Sequence, residues 1–183
     1  MKFLMIARLL YDKGFSQYVE SASEIRSRYP DAEFILVGDF DFPHPNHVPR
    51  EEVMKYHDAG IINYLGYQKD IYPIIKSVDC IVHPTYYPEG LSRVLMEAIS
   101  MGKPVITTNI SGCRETINNN ENGFLIPPRD TEALTDALDR FIKLSSSERN
   151  MMGERGRKYA EERFDIKHVI SLYKKIIKEA VNK

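Results

Sequence analysis

Cys80-Ile81-Val82-His83-Pro84-Thr85-Tyr86-Tyr87-Pro88-Glu89-Gly90-Leu91-Ser92-Arg93-Val94-Leu95-Met96-Glu97-Ala98 changes character twice along its length. A short apolar run, Cys80-Ile81-Val82, gives way to a loop rich in proline and tyrosine. Leu91, Val94, Leu95 and Ala98 then recur at helical spacing, so the order is strand, loop, helix. At such a junction the first helical amides have no intrahelical partner, and together with the helix dipole they favour an anion placed just ahead of them. Gly90 permits close approach at that point.

Glu89 lies at the end of the loop, beside the expected anion. Glu97 follows Gly90 by seven residues, which returns it to nearly the same helix face about 10 Å further along. A carboxylate there can accept hydrogen bonds from a ribose whose diphosphate occupies the helix start. The same spacing fits an ion pair between Glu97 and Arg93 one turn back, with Glu89 a solvated loop residue.

Outward from this segment, short apolar runs alternate with amphipathic stretches. Lys2 to Ala7 reads as a strand central to a parallel sheet, and Phe15, Tyr18, Val19, Ala22, Ile25 and Tyr29 mark a helix ending near Pro30. Glu33 to Val37 is the second strand. Arg50 to Ala59 reads as a helix, Ile61 to Leu65 as a strand, and Ile71 to Val78 as a helix capped by Asp70. Pro104 to Thr108 is a further strand, Gly112 to Ile117 a short helix, and Asn122-Gly123 a turn before Phe124 to Ile126. From Thr131, read as an N-cap, the chain is helical: Leu134 to Ile142, about Ser147 to Glu162, and a last stripe of Val169, Ile170, Tyr173, Ile176, Ile177, Ala180 and Val181. The alternation predicts an α/β class, a Rossmann-like parallel sheet wound on both sides and followed by C-terminal helices. No G-x-G-x-x-G follows the first strand, which argues against a dinucleotide oxidoreductase.

Bulk composition narrows the function further. A chain of 183 residues with 43% hydrophobic and 28% charged residues suits one soluble domain. No apolar run approaches membrane-spanning length, and Met1 to Ala7 is too short for a signal peptide, so a cytoplasmic location is expected. The two cysteines, Cys80 and Cys113, have neither the number nor the spacing of a zinc site or disulfide framework. A net charge of −1 gives no case for nucleic acid. From Lys143 onward eleven Lys or Arg stand against six Asp or Glu, a balance that fits solvated helix faces. A weaker alternative is attraction to anionic headgroups at the inner face of a membrane, which would fit a chain acting on a lipid-linked acceptor.

Arg8 and Lys13 fall at the carboxyl end of the first strand and in the loop after it, where open α/β sheets bind ligands. Two cations there can neutralise a diphosphate without a metal. From residue types alone, Lys13 flanking the helix start and Arg8 pairing with Asp12 is the simpler reading. Asp39 and Asp41 make a D-x-D, too short a motif to be read as a metal site, and His44 and His47 lie among prolines with no third ligand in sight. Tyr67 suits either stacking on a base or packing against a neighbouring loop.

Pro88-Glu89-Gly90-Leu91 with Glu97-Ala98, then Gly102-Lys103-Pro104-Val105-Ile106, resembles the E-x7-E segment of retaining GT-B glycosyltransferases, specifically glycosyltransferase family 4. The likeness continues in Gly112-Cys113-Arg114-Glu115, in Asn122-Gly123-Phe124-Leu125-Ile126-Pro127-Pro128-Arg129-Asp130, and upstream in Arg8-Leu9 with Lys13-Gly14. It covers nearly the whole chain, yet only the family's C-terminal, donor-binding half, so residues 1–183 are expected to lack the N-terminal acceptor domain. The resemblance implies a nucleotide-sugar donor, most often a UDP-sugar, used in polysaccharide or lipopolysaccharide assembly without a metal or other cofactor. Arg8 and Lys13 would contact the diphosphate, Glu89 would position the sugar, and amides near Gly90 and Leu91 would add to the anion site. Glu97 would hold the ribose, and the loops at Gly38 and Gly66 would flank the nucleotide. Arg8, Lys13 and Glu89 are therefore the expected catalytic residues. Phe40 stands where the family often has a second glycine. The last apolar stripe implies a partner surface, either the absent domain or a second copy. A binding module acting with a separate acceptor-binding chain is the alternative reading, and the isolated domain is expected to transfer little.

Overall fold

The computed structural model describes residues 1–88 and 90–181. Six strands form one parallel sheet: β1 (Lys2–Ile6), β2 (Glu33–Val37), β3 (Asn63–Tyr64), β4 (Cys80–His83), β5 (Val105–Thr108) and β6 (Gly123–Ile126). Their order across the sheet is β3-β2-β1-β4-β5-β6. Among the described residues seven α-helices accompany them: α1 (Phe15–Arg28), α2 (Arg50–Asp58), α3 (Tyr72–Ser77), α4 (Arg93–Ser100), α5 (Thr131–Lys143), α6 (Ser146–Phe164) and α7 (Ile166–Val181). The architecture is the Rossmann-like, doubly wound α/β fold expected from the sequence.

Alternation along the strands divides the core in two. Phe3 and Met5 of β1, with Phe34 and Leu36 of β2, face α1 and α5, where Tyr18, Ile25, Leu138 and Phe141 close the layer. Leu4, Ile35 and Ile81 face the other way, onto Ile75 of α3 and onto Leu95, Ala98 and Ile99 of α4. In the first layer Phe3 stacks on Phe34 at 5.0 Å between ring centroids and meets Phe141 edge-on at 6.0 Å. Tyr18 is buried there with its polar end satisfied, its hydroxyl donating to the Ile35 carbonyl at 2.8 Å and lying 3.2 Å from the Phe3 carbonyl. It ties α1 to the neighbouring strands β1 and β2.

Several element ends differ from expectation for local reasons. Thr131 is not the N-cap of α5. Asp130 is, its carboxylate accepting from Ala133 N–H at 2.8 Å, while the Thr131 hydroxyl donates to Glu20 at 2.9 Å. A carboxylate also gains from the positive end of the helix dipole, which a hydroxyl does not. Asp70 accepts from Tyr72 N–H at 3.1 Å, and the residue directly before α3 is Ile71. The turn before β6 lies one step earlier than expected, with left-handed Asn120 at its bend and Gly123 already in the strand.

The C-terminal helix stands apart. α6 begins with a capping box between Ser145 and Glu148 and is anchored by buried Met152 and Ala160. α7 contributes no buried residue to the domain, and its apolar stripe is exposed from 45% at Ile170 to 79% at Val181. Among the described residues no helix is long and apolar enough to cross a membrane.

Candidate functional site

The strand order reverses between β1 and β4, and the segments leaving the carboxyl ends of these two strands meet there. In open α/β sheets this is the place where a crevice forms and ligands bind. The loop after β1 carries Arg8 to Gly14, and the loop after β4 carries Pro84 to Ser92.

The two loops are sewn together at one atom. The Asp12 carbonyl accepts from Tyr86 N–H at 2.8 Å, from Tyr87 N–H at 2.9 Å and from the Thr85 hydroxyl at 3.2 Å. Gly14 makes this approach geometrically feasible: its φ is +86°, and a Cβ on it would lie 2.3 Å from the Pro84 carbonyl oxygen. The β4 loop is held from behind by Thr107, whose hydroxyl donates to the His83 carbonyl at 2.8 Å, and by Thr108, which donates to Thr85. Tyr11 anchors the other loop to α2 by donating to Glu52 at 2.5 Å. That hydrogen bond, with burial and the Glu52 charge behind it, pushes the Tyr11 phenol up to about 12, so it remains a donor at neutral pH.

Lys13 sits inside this junction, only 8% exposed, with Nζ 4.2 Å from the centroid of the Tyr87 ring. Its stem is packed and its charge is presented beside the β4 loop. Arg8 is more open, its side chain 51% exposed, and it does not pair with Asp12. Nη1 instead bonds Asp41 Oδ2 at 2.7 Å, across 33 residues of sequence. Asp12 is itself buried, with Oδ2 facing Asn46 Nδ2 at 3.3 Å.

Gly38 and Gly66 come together beside the first strand. Gly38 N–H donates to the Gly66 carbonyl at 3.1 Å, the Tyr64 hydroxyl donates back to the Gly38 carbonyl at 3.1 Å, and a Cβ on Gly38 would fall 1.8 Å from the Ala7 carbonyl oxygen. Phe40 turns into its own loop, stacked on Phe42 at 5.2 Å and edge-on to Tyr64 at 5.7 Å. Tyr67 is largely exposed, at 70%.

The start of α4 departs from the sequence expectation. The helix begins at Arg93, so Gly90, Leu91 and Ser92 precede it and no continuous helix face joins Gly90 to Glu97. The cause is tertiary: Ser92 N–H donates to the Gly112 carbonyl at 3.2 Å, and the Ser92 hydroxyl shares a 3.4 Å hydrogen bond with His83 Nε2. Met96 N–H closes the first helical turn onto the Ser92 carbonyl at 3.1 Å, leaving the preceding helical amides without an intrahelical acceptor. Glu97 is on the second turn. The pairing with Arg93 does form, but at 3.5 Å and with Arg93 86% exposed, the kind of surface contact that contributes about 0–1 kcal/mol. Glu89 lies outside the described residues.

Asp41 as the partner of Arg8, Tyr87 as the support of Lys13 and Arg129 over the Tyr86 ring at 4.5 Å were not assigned from sequence. Each joins segments far apart in the chain, and the D-x-D, too short to be read as a metal site, carries no sign of the pairing with Arg8. Among the described residues, no group of three or more His, Cys, Asp or Glu side chains is placed to hold a metal ion.

Fold and crevice together define a doubly wound α/β domain that presents cations where such sheets take their ligands. The chain belongs to the family described as glycosyl transferases group 1, which matches residues 1–159. It is 29% identical over 140 residues to N,N'-diacetylbacillosaminyl-diphospho-undecaprenol alpha-1,3-N-acetylgalactosaminyltransferase of Campylobacter jejuni, covering 76% of this chain and 35% of that protein. It is 31% identical over 140 residues to UDP-Gal:alpha-D-GlcNAc-diphosphoundecaprenol alpha-1,3-galactosyltransferase of Escherichia coli, covering 75% and 35% respectively. A glycosyltransferase structure from Rickettsia africae superposes with a TM-score of 0.84 at 30% identity, over 97% of this chain and 48% of that one. The chain thus spans about a third to a half of the length of the proteins it matches.

Proposed function

We propose that residues 1–183 form the donor-binding domain of a retaining glycosyltransferase of family 4 type, which takes a sugar from a nucleotide donor, a UDP-sugar, for glycan or lipid-linked assembly. The observation that carries this is the placement of Lys13 and Arg8 at the carboxyl end of β1, with Lys13 clasped against the β4 loop. Fixed cations in that position stabilise the charge that builds on a diphosphate leaving group and need no metal to do so. The UDP-Gal named for the Escherichia coli relative supports a UDP-linked donor, and the undecaprenol-linked acceptors named for the Escherichia coli and Campylobacter jejuni relatives support a lipid-linked acceptor.

In this reading Arg8 and Lys13 hold the diphosphate, and amides near Gly90 and Leu91 complete its coordination. The Gly38–Gly66 contact flanks the base, Glu97 accepts hydrogen bonds from the ribose, and Glu89 positions the sugar. Retention follows from attack on the same face within the donor complex. The acceptor half is a separate unit, and the exposed stripe of α7 fits against it. A domain on its own then binds donor but transfers little.

Calorimetric titration with UDP, ADP and GDP in the presence of EDTA tests the reading. Metal-independent binding selective for UDP is expected, and a folded protein that binds none of the three overturns it. Glu97→Ala is expected to weaken UDP binding by ~1–3 kcal/mol, the scale for hydrogen bonds to a charged group. Because its contact with Arg93 is long and exposed, thermal stability should barely change. Unaltered UDP affinity would remove Glu97 from the ribose site.

A further inference from the structure

We infer that Asp41 is an internal counter-anion for Arg8, which a ligand's diphosphate must displace, and that it thereby sets how much negative charge a ligand needs to engage this site. The inference rests on the diphosphate role proposed for Arg8.

The contact is built into the loop. Phe40 and Phe42 stack with their planes 3° apart, and Tyr64 and the Arg50 guanidinium close on Phe40, the latter at 5.7 Å. Asp41, lying between the stacked residues, is carried against Arg8. Backbone hydrogen bonds hold the segment on both sides: Leu9 N–H to the Asp39 carbonyl at 3.0 Å, His44 N–H to the Asp41 carbonyl at 2.8 Å, and Val48 N–H to the Leu9 carbonyl at 2.9 Å. Asp39 does not compete for Arg8 in this arrangement; its Oδ1 accepts from Phe40 N–H at 2.9 Å.

The pair is also poised for exchange. With Arg8 51% and Asp41 27% exposed at the side chain, water reaches the contact and either partner is released at little penalty. A diphosphate offers Arg8 more charge and a bidentate acceptor, so it wins the exchange, whereas a neutral nucleoside has nothing with which to displace Asp41. Asp41 thus acts as a specificity-determining residue. It lowers affinity for every ligand that uses Arg8 and leaves the rest unaffected.

The test is titration of Asp41→Asn, Asp41→Ala, Arg8→Ala and the Arg8→Ala/Asp41→Asn double variant with UDP and with uridine, each variant first checked for an unchanged melting temperature. Both Asp41 variants should bind UDP roughly two- to five-fold more tightly, the range of an exposed ion pair. Uridine affinity should stay constant, and the gain should vanish when Arg8 is absent. If Arg8→Ala weakens UDP binding but neither Asp41 variant strengthens it, the counter-anion role is overturned while the proposed site stands. Weaker UDP binding in the Asp41 variants would show instead that Asp41 orients Arg8 for the ligand, which also overturns it. If Arg8→Ala itself leaves UDP affinity unchanged, the diphosphate role of Arg8 fails, and the inference with it.

Discussion

Lys13→Met is expected to bind UDP ~2–5 kcal/mol more weakly than the parent chain, a loss of about thirty-fold or more, with its fold intact. Methionine retains the unbranched stem that fills the junction beneath Tyr87 and removes only the charge. The effect is large because Lys13 is only 8% exposed, so a counter-charge beside it acts with little screening. Arg8, half in solvent and already engaged by Asp41, should lose less on truncation. Isothermal titration in chelated buffer reads the difference directly. Equal, small losses at both positions would mean that neither cation faces a buried phosphate.

Gly14→Ala is expected to destabilise the domain by roughly 2–5 kcal/mol, combining left-handed strain of about 1–2 kcal/mol with overpacking of about 1–3 kcal/mol. The methyl group would enter the space of the Pro84 carbonyl, which belongs to backbone and has no side-chain freedom to yield. Relief requires the two loops to separate, and that breaks the contacts of Tyr86 and Tyr87 with the Asp12 carbonyl. Urea unfolding should therefore show a lower midpoint, and UDP binding should fall too because Lys13 loses its backing. Gly66→Ala is a useful contrast: its φ is +69° but a Cβ there meets nothing within 4 Å, so strain acts without overpacking. If the two variants unfold alike, the close approach at Pro84 is not what stabilises the junction.

Much of the sheet was legible because most of its strands are short, largely apolar runs. β2 lies between Pro30 and Gly38 and has the bounds its composition suggested. β3 was overestimated as Ile61 to Leu65. It forms an edge, paired only with β2 through two residues, and Ile61 N–H turns back to the Tyr56 carbonyl instead. The neighbourhood of Arg8 and Lys13 was legible as well, since position at a strand's carboxyl end follows from order alone. What was not legible is what those side chains touch. The Arg8–Asp41 pair depends on how the loop between β2 and α2, rich in proline and aromatics, settles, and the start of α4 depends on Gly112, which is remote in sequence. Local propensity has no access to either. The N-cap of α5 was a local contest between neighbours, Asp130 and Thr131, in which charge gave the carboxylate the advantage.

The triple use of the Asp12 carbonyl has a consequence for engineering. Residues 11–14 and 84–87 are separated by some seventy positions, yet they share one acceptor and one close backbone contact, so they form a single exchangeable cassette. A chimera that imports the second segment from a relative without the first would pair a foreign loop with a native socket. Recombination within this family should therefore succeed when its crossover points keep the two halves of the cassette from the same parent.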